Sequence, residues 1–304
     1  MRCRICGQPA VINMRHHKLS LCAEHYIAWF IKQTERTIHK YRLFTPEERI
    51  LVAVSGGKDS LALWDVLLKL GYHADGLYID LGIDGGFGYS SRSKEKVLAF
   101  HHSHPEANLH IVDIPGIYAE SVPEVARRKH HMRRPCAICG VIKRHEMNRV
   151  ALSEGYDVLA TGHNLDDEAA TLFGNVLHWH VGYLQRQGPI LPADGEGLAR
   201  KVKPFARLYE RETAAYALLT GIDYIYEECT FAKGATSITH KATLTEMEPK
   251  SPGTKLQFYV NFLRAKEEGL LCNAEAQRVE LHPCERCGQP TTAARLCRFC
   301  RLWE

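Results

Sequence analysis

The chain has 304 residues, 45% of them hydrophobic and 24% charged, with 39 Lys and Arg against 35 Asp and Glu for a formal net charge of +4. That is longer than one average domain and permits a sizeable core, while a charge this mild does not by itself single out a nucleic-acid partner. No apolar run is long enough to span a bilayer, and Met1-Arg2-Cys3-Arg4 leads into cysteine chemistry and not into a signal-peptide core, so no membrane partner and a cytoplasmic location are expected.

The eleven cysteines fall mostly into groups with metal-ligand spacing, which predicts reduced thiolates in place of disulfides. Cys3 and Cys6 are separated by two residues, and after an intervening fifteen come Cys22 and His25, again two apart. Four such ligands suit a tetrahedral zinc ion, with His16 and His17 competing for the fourth place. Gly7 after this pair, like Gly288 near the other terminus, fits the tight knuckle such a site needs. Residues 1–27 are expected to form this zinc finger. Apolar residues at Ile27, Phe30, Ile31, Ile38 and Tyr41 predict a connecting helix between Tyr26 and Phe44, and Thr45-Pro46-Glu47-Glu48 marks a break.

Ile50–Val54 then reads as a strand, Ser55-Gly56-Gly57-Lys58-Asp59-Ser60 as a glycine loop and Leu61–Leu70 as a helix. Glycines let backbone N–H groups approach phosphate oxygens, and the helix N-terminus adds a favourable dipole for negative charge. The loop lacks the four-residue gap and Gly-Lys-Ser/Thr ending of a Walker loop, which argues against γ-phosphate transfer in that style. Strand-like and helix-like segments keep alternating at Ala74–Ile79, Ser93–His104, Leu109–Ile114, Ile138–Glu154, Asp157–Thr161 and Asn164–Leu177. The prediction is an α/β fold, a parallel sheet with helices on both faces. Ligands of such sheets collect beyond the carboxyl ends of the strands, where Ser55, Asp80 and Gly162 would lie. Gly82–Gly88 reads as a mobile loop over that cleft, and Asn164-Leu165-Asp166-Asp167-Glu168 taken alone is equally a helix cap with an acidic first turn.

Pro135-Cys136-Ala137-Ile138-Cys139-Gly140 opens a helical run, where the helix N-terminus and the preceding Arg133 and Arg134 favour thiolates. Two cysteines are an incomplete metal site. Cys229 is the best remaining third ligand and Cys272 its competitor; three thiolates would leave one iron of a cubane cluster without a protein ligand. A redox dithiol is the alternative reading of the pair. Arg211–Leu219, Ile238–Met247 and Leu256–Glu267 read as helices that complete a nucleotide-binding domain over residues 28–270. In 271–304, Cys284 and Cys287, nine intervening residues, then Cys297 and Cys300 predict a zinc ribbon. Zinc held by four protein ligands keeps no open position. Each module would therefore fix a fold and present Arg2, Arg4, Arg15, Arg286, Arg295, Arg298 and Arg301 either to RNA or simply to solvent.

The loop Ser55–Ser60 resembles that of the N-type ATP pyrophosphatases, the PP-loop superfamily, in which the α–β bond of ATP is cut, AMP is attached to a substrate oxygen and pyrophosphate leaves. Together with Cys136, Cys139, Cys229, the stretch Gly162-His163-Asn164-Leu165-Asp166-Asp167-Glu168-Ala169 and both terminal modules, it makes nearly the whole chain similar to the TtuA group of tRNA 2-thiouridine synthetases. The resemblance implies a tRNA-thiolating transferase that adenylates the 2-carbonyl oxygen of a uridine, 5-methyluridine 54 in the T-loop, and replaces it with sulfur by way of a 4Fe-4S cluster. Carried over by position, Cys136, Cys139 and Cys229 would hold the cluster. Ala53, Ser55, Gly56, Gly57, Asp59, Ser60, Ile79, Gly162 and Asp167 would surround ATP, with Lys58 near its phosphates and Mg2+ alongside. Lys58, Asp59, Cys136 and Cys229 would carry the chemistry, and Arg127, Arg128, Lys129, Arg133 and Arg134 would neutralise tRNA phosphates. A ubiquitin-like sulfur carrier as donor and a homodimer are further implications. The chain departs from the family pattern in the basic residues His130-His131-Met132-Arg133-Arg134, in the glycine insertion Asp84–Gly88, and in stopping soon after Cys300 without a basic tail. Two rival readings are a thiolase for the wobble uridine 34 and a non-catalytic zinc protein that binds RNA and keeps ATP as a structural ligand.

Overall fold

The computed structural model describes residues 1–128, 135–193, 197–232, 236–271 and 281–304. Cys272, Lys129, Arg133 and Arg134, with the other basic residues just before Pro135, lie outside the described residues.

A short hairpin of β1 (Ile12–Met14) and β2 (Leu19–Leu21) leads into the long helix α1 (Ala23–Tyr41). The helix runs unbroken past residue 27 and stops at Arg42, whose left-handed backbone ends it. Next come β3 (Ile50–Val54), α2 (Lys58–Lys69), β4 (Ala74–Asp80), α3 (Tyr89–His102) and β5 (Leu109–Asp113). The chain then passes through α4 (Ile114–Tyr118), α5 (Val122–Arg128) and α6 (Pro135–Ser153) to β6 (Val158–Thr161) and α7 (Leu165–Leu177). After α8 (Val181–Arg186) follow β7 (Ile190–Leu191), β8 (Arg200–Val202), α9 (Glu210–Leu219), α10 (Thr236–Met247) and α11 (Thr254–Glu267), and the last module holds the hairpin β9 (His282–Pro283) and β10 (Pro290–Thr291). None of the described helices is long and apolar enough to cross a membrane.

The main sheet has the order β5-β4-β3-β6-β8-β7. All pairs are parallel except β7 with β8, an antiparallel edge that the sequence reading did not include. These strands, of two and three residues, are too short to show a period. Strand β3 is buried on both sides, as its run of branched residues requires at the centre of a parallel sheet. Alternation along it separates two cores: Ile50, Val52 and Val54 pack on one side with residues of α1, α2, α3 and α9, whereas Leu51 and Ala53 face α5, α6 and the C-terminal module. From β3 the chain winds outward to β4 and β5, then returns across the other face to β6 on β3's opposite side. Strand order reverses between β3 and β6, and a ligand crevice opens at their carboxyl ends.

Both terminal modules are docked. Tyr26 Oη donates to the Glu212 carbonyl at 2.7 Å, and Phe30 stacks on Tyr216 of α9 at 4.4 Å between centroids. At the other end Phe299 lies flat on His145 of α6 at 3.5 Å, and Gln289 Nε2 donates to the His145 carbonyl at 3.1 Å.

Trp64 of α2 is fully buried against β4, where Gly76 leaves room for its ring: a Cβ there would sit 2.5 Å from Cη2 and 2.8 Å from Cζ3. Gly76→Ala should therefore destabilise the protein by about 1–3 kcal/mol in urea unfolding, and an unchanged midpoint would contradict this packing.

Candidate active site

The glycine loop wraps the end of β3 onto α2. Gly56 is in the left-handed region at φ 75°, and a Cβ on it would meet the Ser93 carbonyl oxygen at 2.5 Å, so only glycine fits. Ser60 Oγ accepts from the Ser55 N–H at 3.0 Å and donates to the Gly57 carbonyl at 3.1 Å, closing the turn; the Ile225 N–H holds it from outside through the Gly56 carbonyl at 2.9 Å. Gly57 is the N-cap of α2, and no side chain caps this helix. The first-turn N–H groups are thus directed at the crevice, as an anion-binding helix start requires. Across the crevice a Cβ on Gly162 would lie 2.8 Å from the Asp59 carbonyl carbon and 2.9 Å from the Ser60 nitrogen. The backbone beyond β6 therefore touches the first turn of α2 directly.

Helix α7 starts beside this contact with a capping box. Asn164 Oδ1 accepts from the Asp166 and Asp167 N–H groups at 3.0 and 3.2 Å, while an Asp167 carboxylate oxygen accepts from the Asn164 N–H at 3.1 Å. The bland reading of this stretch as a helix cap is correct, and the cap also faces the site: Asn164 Nδ2 donates to Asp59 Oδ1 at 3.1 Å. Lys58 Nζ reaches Asp59 at 3.0 Å and Glu210 at 2.8 Å, and Lys241 Nζ reaches Asp167 at 2.6 Å and Glu210 at 3.2 Å. Burial alone would push the Glu210 carboxyl up, but Lys58 and Lys241 hold it below the usual carboxylate range. Burial pushes Asp59 up, and the nearby charges of Glu210 and Asp167 act in the same direction. Lys58 and Lys241 both stay charged, raised by these acids against the effect of burial. Three carboxylates thus face two ammonium groups, which leaves one formal negative charge and a field that favours a divalent cation arriving with ATP.

Beside the loop, Ala53, Ser55 and Ile79 line a cavity of about 90 Å³ together with Tyr78, Tyr89, Ser93 and Lys143. Glu210, Lys241 and Lys143 are absent from the residues expected by sequence. Lys143 had a readable signal, because it stands four residues after Cys139 on one helix face. Glu210 and Lys241 had none, since only folding brings α9 and α10 to the loop.

Helix α6 opens on Pro135, with Cys136 exposed and Cys139 half-buried in its first turns. Cys136 Sγ donates to the Phe231 carbonyl at 2.9 Å, which ties this helix start to the segment just after Cys229. Burial pushes the Tyr89 phenol up and the charges of Cys229 and Cys139 add to the shift, so both sulfurs bear on the same ring. The three cysteines do not close into a group of the kind that holds a single ion. The Gly82–Gly88 loop, expected to be mobile, is gathered around Asp84, whose carboxylate accepts from the Gly86 and Gly88 N–H groups at 3.1 and 3.0 Å. Arg127 lines a cavity of about 420 Å³ between this loop and Phe231. Arg128, expected to face RNA, instead pairs with Glu120 at 2.9 Å and donates to the Leu302 carbonyl at 2.8 Å.

The terminal modules do close to ionic spacing. Cys3, Cys6, Cys22 and His25 form one group and Cys284, Cys287, Cys297 and Cys300 another, whereas His16 and His17 turn away to Glu212. Two sulfurs bound tetrahedrally to zinc at about 2.3 Å lie roughly 3.8 Å apart; Cys6 to Cys22 and Cys287 to Cys297 both measure 3.7 Å. Gly7 and Gly288 adopt the left-handed knuckle at φ 75° and 72° and donate to the Cys3 and Cys284 carbonyls, so the two modules share one turn. Although burial raises the Cys284 thiol, the backbone N–H groups of Cys297, Cys287 and Arg286 bring it down to about 6. Metal analysis should return about two zinc ions per chain, falling to about one in Cys284→Ser; an unchanged zinc content would refute the C-terminal site.

The N-terminal LIM domain of the 2-thiouridine synthetase TtuA matches residues 2–27. A tRNA-5-methyluridine(54) 2-sulfurtransferase of Thermus thermophilus is 51% identical over 100% of this chain and 91% of its own length. The enzyme of the same name from Pyrococcus horikoshii is 44% identical over 100% of this chain and 94% of its own. In three dimensions the U34-tRNA thiolase NcsA of Methanococcus maripaludis, solved with its [4Fe-4S] cluster, superposes with a TM-score of 0.80 at 23% identity, over 99% of this chain and 95% of that one, a likeness of fold. With relatives this similar along its whole length, a bare glycine loop at the strand-order reversal and the cysteine helix beside it, the chain belongs to the tRNA-5-methyluridine(54) 2-sulfurtransferase family.

Proposed function

We propose that the chain uses ATP to activate the 2-carbonyl oxygen of 5-methyluridine 54 in tRNA and installs sulfur in its place. The observation that carries this reading is the shared wall between the nucleotide cavity and the cysteine helix: Lys143 lines the cavity with Ala53, Ser55 and Ile79, one helical turn beyond Cys139. The choice of nucleotide follows the named activity of the full-length relatives.

In this reading Ala53 and Ile79 flank the adenosine, and the loop Ser55-Gly56-Gly57 with Ser60 cradles the phosphates. The 2-carbonyl oxygen attacks the α-phosphorus, the bond to the β-phosphate oxygen breaks, and pyrophosphate leaves with its charge met by Lys58 and Lys143; Asp59 and Asp167 would hold a Mg2+ ion, which would supply further positive charge to the phosphates. Binding requires Lys58 to exchange part of its contact with Glu210 for phosphate oxygen, so Glu210 keeps the lysine placed before ATP arrives. AMP is then a good leaving group from C2, and sulfide addition there completes the exchange of oxygen for sulfur. Cys136, Cys139 and Cys229 would hold a 4Fe-4S cluster, which supplies an iron open to sulfide. The protein's own part is to position these thiols, Cys136 through its contact with the Phe231 carbonyl. A ubiquitin-like carrier protein as sulfur donor, a homodimeric assembly and action in the cytoplasm belong to the same proposal.

Anaerobically prepared protein should contain about four irons per chain in addition to zinc. Cys136→Ser should abolish thiolation of tRNA while leaving the unfolding curve unchanged, and full activity in that variant would refute the cluster assignment. Lys143→Ala should lower the rate of AMP formation about a hundredfold or more with the fold intact. Mass spectrometry of nuclease fragments should place the new sulfur at position 54; a product at the wobble position 34 would overturn the choice of nucleotide.

A further inference from the structure

A third cavity, of about 440 Å³, opens between α1 and the loop that leads from β8 to α9. Gln33, Arg36, Thr37 and Lys40 of α1 line it, and Arg207 of the loop and His17 complete its polar wall. Positions 33, 36, 37 and 40 share one helix face, the spacing that ordinarily turns apolar residues toward a core. Here that face carries two exposed cations, Arg36 and Lys40, beside the half-buried Gln33 and the buried Thr37.

Among the described residues, none that lines the cavity is acidic. Among the described residues no carboxylate comes within the 4.0 Å of an ion pair from Arg36, Lys40 or Arg207. His17 lies 3.9 Å from Glu212, but that carboxylate is already engaged by His16 at 2.7 Å. Three permanent positive charges therefore line one space with no carboxylate paired to them, Lys40 lying 5.6 Å from the centre of the Tyr41 ring, an arrangement that an entering anion relieves. Guanidinium forks match phosphate oxygens in pairs, and Leu208 and Leu256 make up the apolar part of the lining. The volume is that of a nucleotide-sized ligand and larger than a lone phosphate needs.

We propose that this cavity binds a phosphodiester of the tRNA backbone, a second point of grip on the substrate outside the ATP cleft; it rests on the reading of the chain as a tRNA enzyme. The site is coupled to the catalytic loop by covalent continuity. The Leu208 carbonyl accepts from the first N–H of α7 at 2.8 Å, and Glu210, two residues on, holds Lys58 at 2.8 Å. A nucleotide held by Arg207 thus fixes the segment that places both the α7 start and the phosphate-binding lysine.

The test compares full-length wild type with Arg36→Gln/Lys40→Gln/Arg207→Gln for affinity to unmodified tRNA across salt concentrations, with ATP affinity measured in parallel. The triple variant should bind tRNA about tenfold or more weakly near physiological salt and lose about two units of salt slope, with ATP affinity within twofold of wild type. Should the partly buried Arg207 prove necessary for folding, Arg36→Gln/Lys40→Gln at two exposed positions should show a smaller loss of the same kind. Unchanged tRNA affinity overturns the proposal. So do displacement of inorganic phosphate alone, which marks a free-phosphate site, and loss of thiolation with a protein sulfur donor at unchanged tRNA affinity, which marks an acidic protein as occupant. If wild type itself fails to bind tRNA, it is the underlying assignment that fails.

Discussion

The approach of the Gly162 backbone to the first turn of α2 is the constraint on which the active site depends. A Cβ at that point would stand 2.8 Å from the Asp59 carbonyl, so the ends of β3 and β6 close only because glycine occupies the position. The contact brings two helix starts together: that of α2, which no side chain caps, and that of α7, whose first N–H groups are taken by the Leu208 carbonyl and by Asn164. The uncapped start of α2 therefore lies at the reversal of strand order with the capped, acidic start of α7 beside it.

Electrostatics in the crevice follow from this closeness. Asp59, Asp167 and Glu210 come from three helices and would repel one another without Lys58 and Lys241 between them. The pairs are only partly exposed, where charge interactions are less screened than at the surface and where ordered lysines are ready for phosphate oxygens. Glu210 is central because it touches both lysines, and its place as the first residue of α9 puts its carboxylate where the helix end favours negative charge.

The two faces of the sheet divide the work. One face carries α1, α2 and α9, docks the N-terminal module through Tyr26 and Phe30, and holds the basic cavity. The other carries α6, whose first turns hold Cys136 and Cys139 and whose later turns rest on the C-terminal module through His145 and Phe299. A metal ion held in the last module would thereby buttress the helix that presents Cys136 and Cys139, a positioning role that needs no open coordination place.

Much of this was legible in the linear chain because the relevant signals are local. Ile50–Val54 is a strand as its branched residues predict, Leu165–Leu177 begins where the asparagine cap announces it, the helix expected from Leu61 already starts at Lys58 inside the glycine loop, and the two knuckle spacings gather as ligand groups. Backbone propensity, capping and short ligand loops act over a few residues, so sequence spacing and spatial proximity nearly coincide there. The selection of His25 over His16 and His17, the antiparallel edge strands, and the recruitment of Glu210, Lys241 and the cationic face of α1 were decided only in three dimensions. Each of these joins residues far apart in the chain, whose charges acquire partners, or are left without them, only once the two cores have packed against the sheet.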